Sequence, residues 1–360
     1  MTVITLSREF DFLSACCKAA YAGSGRKFSS MGLDWERLVR LARFHRVQGL
    51  VWKGLSEYGQ EAPEKAAKSL ASEARSIAGK NLRMAHECRA LIDAFEAAGI
   101  CPLFVKGLTL AALAYGDCSA KSGIDIDMVV ESAELVDSAG VLSSLGYRVA
   151  EPPPATSAAM LAKWHRARKE SLWINPETAL KVDLHTRLAD NPRLIPRVGS
   201  NSPRQSVVVP GNLELPTLND EDLFAYLAVH GASSAWFRLK WITDFAAFAQ
   251  RLGLDRIESF YRSSQRLGAG RAADQALLLA HRIYGLLSEA PALEAELKRN
   301  RVSVWLEKVA LRQLAGRAEP VEPTAGWFGT ASIHYTQLAM MPGLAYPLSE
   351  LSRQLRATVG

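Results

Sequence analysis

Apolar residues in the first hundred positions recur at three- and four-residue steps, the period of an amphipathic helix. Leu38, Leu41, Ala42, Val47, Leu50, Val51 and Leu55 form one such stripe and predict a helix over 34–58. A second helical pattern covers 65–98, with Gly99 as its C-cap. The period then changes. Ile100-Cys-Pro-Leu-Phe-Val105 reads as a short buried strand, 107–115 returns to helical spacing, and 124–130 alternates apolar with acidic residues as a second strand. A helix over 131–145, ended by Gly146, and a strand over 147–150 complete a strand–helix alternation that implies a mixed α/β core.

Glu151-Pro-Pro-Pro154 breaks the chain into a surface loop. A helix is predicted over 157–165, then strands over 171–175 and 180–185. Asn175-Pro-Glu-Thr178 is a suitable turn between them, so the pair reads as a hairpin. Residues 186–218, rich in Pro, Arg and Ser, show no assignable period. Asn219, with Asp222 three residues on, forms an N-cap with early negative charge, and helical spacing continues to about 315. A loop rich in Gly, Pro and Glu and a short tail close the chain. The expectation is an α+β fold in three parts: a helical region over 1–98, a small mixed-sheet core over 99–215, and a helical region over 216–360 that closes over the cleft.

Composition narrows the class. At 48% hydrophobic and 22% charged residues, the 360-residue chain is an ordinary globular protein, neither fibrous nor disordered. Its five cysteines (Cys16, Cys17, Cys88, Cys101 and Cys118) include no C-x-x-C and no zinc spacing. They read as reduced thiols, mostly small apolar fillers, in a cytoplasmic protein. Arg8, Glu9 and Asp11 precede any long apolar run, which is not the order of a signal peptide. No run of about 18 uncharged apolar residues exists to span a membrane. A net charge of +6 fits a phosphate-rich partner, but no dense Lys/Arg run with interleaved aromatics points to RNA.

The chemistry concentrates in Gly123-Ile-Asp-Ile-Asp-Met-Val-Val130. Alternate side chains of a strand share a face, so Asp125 and Asp127 point one way while Ile124, Ile126 and Met128 point into a core. Adjacent carboxylates repel, and a divalent cation with oxygen ligands removes that cost. Lys181-Val-Asp-Leu-His185 repeats the alternation, with Asp183 and His185 on one face. If the two strands are neighbours, Asp183 completes a three-carboxylate cluster able to hold Mg²⁺, or Mn²⁺, against triphosphate oxygens. Upstream, Lys106-Gly-Leu-Thr109 lies where a strand turns into a helix. Gly107 admits close approach, the helix N-terminus offers N–H groups, and Lys106 and Thr109 add a charge and a hydroxyl for phosphate. The chain contains no nucleophile elbow, no P-loop and no G-x-G-x-x-G after a strand.

These residues resemble the uncharacterised nucleotidyltransferase family of the DNA polymerase β-like superfamily. That family shows a Leu-Lys-Gly turn, a basic residue shortly before Asp-Ile-Asp-Leu-Leu-Val, and a later Val-Asp-Leu-His-Trp. This chain has Val105-Lys-Gly107, Asp125-Ile-Asp-Met-Val-Val130 and Val182-Asp-Leu-His185. Phe44-His-Arg-Val47, His230-Gly-Ala and Trp241-Ile-Thr-Asp244 are similar to its flanking helical elements, so the likeness spans roughly 35–250. The chain departs from the pattern at three places. Leu108 stands where the superfamily carries a Ser after Gly107, and Thr109 is the nearest replacement hydroxyl. Lys121 stands where relatives carry Arg, which removes bidentate geometry. Thr186 stands in place of the Trp. None of the three removes a metal carboxylate.

The resemblance implies an enzyme that moves an NMP from an NTP, ATP included, to an acceptor hydroxyl or phosphate with release of pyrophosphate. Asp125 and Asp127 bridge metal and triphosphate, Asp183 holds a second metal and helps deprotonate the acceptor, and Lys106 and Lys121 bind phosphate. His185 contacts phosphate, orients Asp183, or is structural. His45, His230 and Asp244 are site residues or packing and capping groups. Trp164, Trp173, Trp236 and Trp241 read as core, and the basic stretch 163–169 as a solvated face or an RNA contact. The acceptor is a small molecule, peptide, protein or RNA. The rival readings are a non-catalytic nucleotide-binding module, a toxin-like tRNA-modifying transferase, and a kinase acting at the γ-phosphate.

Overall fold

In a computed structural model, residues 6–23, 29–57, 59, 61–153, 156–315 and 331–359 are described. Five strands form a mixed sheet: β1 (Leu103–Phe104), β2 (Ile126–Val129), β3 (Arg148–Glu151), β4 (Glu170–Ile174) and β5 (Lys181–His185), in spatial order β1-β2-β5-β4-β3. Only β2 and β5 run parallel; the other pairs are antiparallel. Helices lie before, between and after the strands, which makes the α+β arrangement read from the period changes. Pro102 has no N–H for a ladder, and the apolar run 100–105 yields only the two-residue β1.

The sheet is backed by one long helix, Glu64–Ala97. Its Met84, Cys88, Leu91 and Phe95 pack with Ile126, Met128, Val182 and Leu184, the alternate residues of β2 and β5 that turn away from the carboxylates. Ile124 was expected to share this core. Instead β2 begins two residues later and Ile124 is 38% exposed.

The expected helix over 34–58 is two helices, Trp35–His45 and Gln48–Glu57. The break is at Arg46, a left-handed residue (φ +56°). His45 is fully buried, and its Nδ1 accepts the Leu239 N–H at 3.1 Å, while Arg238 donates to the Phe44 carbonyl. These contacts across the molecule stop the helix where the apolar period alone would continue it. The helix Arg8–Ala22 and this pair join the C-terminal helices in one core, with Phe10, Leu13 and Leu50 in the same cluster as Phe224, Phe248 and Leu277.

Residues 186–218 hold a second hairpin, β6 (Arg204–Val209) and β7 (Leu213–Leu218). Its turn, Pro210-Gly211-Asn212, places Gly211 and Asn212 at positive φ. Val207, Val209, Leu213 and Leu215 alternate inward, a short signal masked by the Pro and Ser around it. The expected helix over 131–145 opens with a 3₁₀ turn, Ser132–Glu134, before Leu135–Ser144. The hairpin of β4 and β5, the helix Gly107–Tyr115 and the N-cap at Asn219, which accepts from the Asp222 N–H, form where the pattern placed them. The loop expected after 315 lies outside the described residues up to 330. In place of a short tail, helices Ala331–Leu338 and Ala345–Val359 follow. No described helix is long and apolar enough to cross a membrane.

The buried His45 predicts a pH effect. Burial, and then the charge of Arg238, push its imidazole down to about 3. A group whose folded pKa is depressed contributes stability above its unfolded pKa, about 6.5, and that contribution is lost as pH falls toward 3. At pH 4.5 His45 alone costs about 3 kcal/mol relative to pH 7.5. Urea denaturation at the two pH values measures this, and His45→Asn flattens the difference.

Candidate active site

A cleft of about 200 Å³ opens on the sheet face opposite the long helix. The parallel register of β2 and β5 sets Asp127 directly beside Asp183 and Val129 beside His185. Asp125 precedes β2 by one residue and also lines the cleft. The three carboxylates singled out in the sequence therefore reach one cavity. Asp127, Asp183 and His185 each place a ligand atom within 4.8 Å of the others; Asp125 stands outside that closer group.

Each member has a distinct electrostatic setting. Asp127 is buried. Lys106 Nζ approaches its Oδ1 at 2.6 Å and His185 Nε2 at 3.2 Å. These partners outweigh burial and hold its carboxyl far below the usual range. Lys106 is correspondingly raised: burial alone would lower it, and Asp127 is the first of the charges that overcome this. Asp183 has the opposite environment. Its side chain makes no hydrogen bond or ion pair with a described residue, and burial followed by the charges of Asp127 and Asp125 pushes its carboxyl up to about 8. Asp125 is likewise without a hydrogen-bonding or ionic partner among the described residues. Two unpaired carboxylates beside a third are what a divalent cation with oxygen ligands fits, because it removes the repulsion that raises Asp183.

The turn before the helix Gly107–Tyr115 is built as the sequence suggested, with Gly107 at φ +57°, a conformation glycine adopts without a Cβ penalty. Lys106 and Gly107 line the cleft. Thr109 does not. Its buried hydroxyl donates to the carbonyl of Phe104 (2.9 Å) or Lys106 (3.0 Å) and braces the turn from behind. Lys121 lines the cleft but is buried and held by Asp244 at 3.4 Å; Asp244 also accepts from Tyr115 Oη at 2.7 Å. His185 is fully buried behind Asp127, with Glu170 Oε2 3.1 Å from its Nδ1.

Several cleft residues were not singled out from the sequence. Arg46 arrives from the left-handed break between the two N-terminal helices. Glu170 opens β4 and pairs at 3.3 Å with Lys169, the last residue of the basic stretch 163–169, which was read from the sequence as a solvated face or an RNA contact and here lines the cleft at Lys169. Lys240 comes from the first turn of the helix Leu239–Leu252. Arg46 and Lys240 each sit inside or beside a flanking motif, Phe44-His-Arg-Val47 or Trp241-Ile-Thr-Asp244, and that adjacency was the available signal. His230 and Trp241 also line the cleft.

The segment from Cys118 to Asp125 that carries Lys121 is clamped through its backbone. Asn81 Nδ2 donates to the carbonyls of Cys118 (2.5 Å) and Lys121 (2.9 Å), Lys240 Nζ to Ser122 (3.0 Å), and Lys80 Nζ to Ile124 (3.2 Å). Helix Gln48–Glu57 presses on the same segment at Gly49, where a Cβ would lie 2.3 Å from the Ala120 carbonyl oxygen.

No curated protein matches this chain. A family model does, over residues 32–285, from the break-forming helices through the sheet to the helices that supply Lys240 and Asp244. That match covers most of the chain, so the chain belongs to the uncharacterised nucleotidyltransferase family, whose description carries nucleotidyl transfer as its general function.

Proposed function

We propose that the cleft moves an NMP from a nucleoside triphosphate to an acceptor hydroxyl or phosphate. The observation that carries this reading is the charge layout. Asp125, Asp127 and Asp183 converge from two adjacent parallel strands, with two of them unpaired among the described residues, facing the basic groups Arg46, Lys106, Lys121 and Lys240. Asp125, Asp127 and Asp183 would hold Mg²⁺ or Mn²⁺. When bound, the cation supplies neutralisation of triphosphate charge and polarisation at the α-phosphorus.

The protein's own residues do the rest. Gly107 lets the phosphate chain approach the start of its helix, where N–H groups point outward. Lys106 and Lys121, which line the cleft, would add positive charge beside the phosphates. The acceptor oxygen forms a bond to the α-phosphorus while the α–β bridging bond breaks and pyrophosphate leaves. The acceptor's proton passes to an Oδ of Asp183, a carboxylate that lines the cleft and has no side-chain partner among the described residues. His185 would position Asp127 rather than touch phosphate, since it lies behind that carboxylate. The acceptor is a small molecule, peptide, protein or RNA. Cysteines that are all free fit a reducing compartment, and the cytoplasm is the proposed location.

The test supplies each NTP, labelled separately at the α- and γ-phosphates, with Mg²⁺ and cell lysate. Alpha-label on an acceptor, lost in Asp125→Asn, is the expected result. Gamma-label alone makes the protein a kinase. NTP binding with no transfer from any fraction of the lysate makes it a binding module.

A further inference from the structure

The cations of the cleft are not equally available to a ligand. Lys106 is taken by Asp127 at 2.6 Å, Lys121 by Asp244 at 3.4 Å and Lys169 by Glu170 at 3.3 Å. Lys240 differs. Among the described residues no carboxylate lies within ion-pair distance of it, and its one hydrogen bond runs to the Ser122 carbonyl at 3.0 Å. An ammonium has three donors, so two remain. It also stands in the first turn of a 14-residue helix that has no acidic residue there and whose first N–H is capped by the neutral His45 ring rather than by a carboxylate. A positive charge at that end opposes the helix dipole. Burial, and then the charge of Lys121, push its ammonium down to about 7, an effect that the carboxylates of Asp244 and Asp125 offset only in part.

We infer that Lys240 is the cation that first receives the phosphate chain in this cleft, taking a non-bridging phosphate oxygen while it keeps the Ser122 carbonyl. It would thereby couple ligand binding to the segment 118–125, the one that carries Lys121 and Asp125. The sequence-predicted cations Lys106 and Lys121 are already paired with carboxylates, whereas Lys240 is available at the outset. The inference rests on the nucleotidyl-transfer reading only so far as the cleft binds a triphosphate, and it does not require transfer.

The experiment measures equilibrium binding of inorganic triphosphate, ATP and adenosine to the full chain with Mg²⁺, by calorimetry. Lys240→Gln keeps a donor for the Ser122 carbonyl and removes the charge; Lys240→Arg keeps the charge. The expected result is a loss of at least about tenfold in affinity for both inorganic triphosphate and ATP in Lys240→Gln, equivalent to about 1.4 kcal/mol. Adenosine binding should be unchanged, and Lys240→Arg should stay within about threefold of the parent. Equal affinities in parent and Lys240→Gln overturn the role of Lys240 and leave the proposed function standing. A loss shared by adenosine also overturns it, because that marks a displaced segment rather than a missing charge. If Lys240→Gln does not fold, a loss of about tenfold or more in the folded Lys240→Arg overturns it as well. A parent protein that binds neither triphosphate overturns both this inference and the nucleotide reading.

Discussion

Asp125→Asn is expected to reduce nucleotidyl transfer by about 10³-fold or more while leaving thermal stability unchanged. Losing one preorganised charge contact in a closed site commonly costs about 10²–10³ in rate, and here the lost group is also a metal ligand in the proposed mechanism. Stability should not suffer because Asp125 has no hydrogen-bonding or ionic partner among the described residues. Asp127→Asn is different. It would be equally inactive but would leave the Lys106 ammonium, only 18% exposed, without the carboxylate 2.6 Å away. Removing one member of a buried pair typically costs about 3–5 kcal/mol. In the sequence alone the two aspartates share one face and one role; the structure makes the single Asp125 variant the cleaner test. Activity assays with thermal denaturation of both single variants separate the cases. Full transfer by a folded Asp125→Asn protein would sink the mechanism.

Gly49→Ala is expected to damage both stability and activity, and its comparison with Gly54→Ala shows why. Each added Cβ would meet backbone: 2.3 Å from the Ala120 oxygen at position 49, and 2.2 Å from the Cys16 oxygen at position 54. Neither neighbour can rotate away, so each variant should lose about 1–3 kcal/mol as the helix Gln48–Glu57 is pushed outward. Only the first lies against the segment that presents Lys121 and Asp125. A shift of about 1 Å in positioned groups can cost about 10²-fold in rate. Gly49→Ala should therefore lose about that much kcat at a temperature where it is fully folded, while Gly54→Ala keeps the parent kcat. Equal kcat values in the two would mean that the segment tolerates displacement.

Much of the fold and part of the site were legible in the sequence. Alternation placed Asp125, Asp127 and Asp183 on strand faces opposite Ile126, Met128, Val182 and Leu184, and those apolar partners are the buried ones. Asn175-Pro-Glu-Thr178 and Asn219 act locally. Asn175 Oδ1 accepts from the Glu177 and Thr178 N–H groups, and Asn219 caps its own helix, so neighbours in sequence suffice to specify them. Lys106-Gly107 made its turn for the same reason.

Tertiary structure decided the rest. A period of two says which residues share a face, but it does not say which strand lies alongside; the parallel register that sets Asp127 against Asp183 depends on how distant strands share one core. The apolar stripe over 34–58 is continuous, yet the helix stops at His45 because Leu239 and Arg238, almost two hundred residues away, bind its end. Lys106 and Lys121 were legible as cations, but whether each is already neutralised depends on carboxylates brought to it by folding, Asp127 across the turn and Asp244 from a C-terminal helix. Lys240, short of such a partner, carried no mark in the sequence beyond standing next to Trp241. Local patterns record backbone preference and burial; the balance of charge in a cleft is a sum over segments that meet only when the chain is folded.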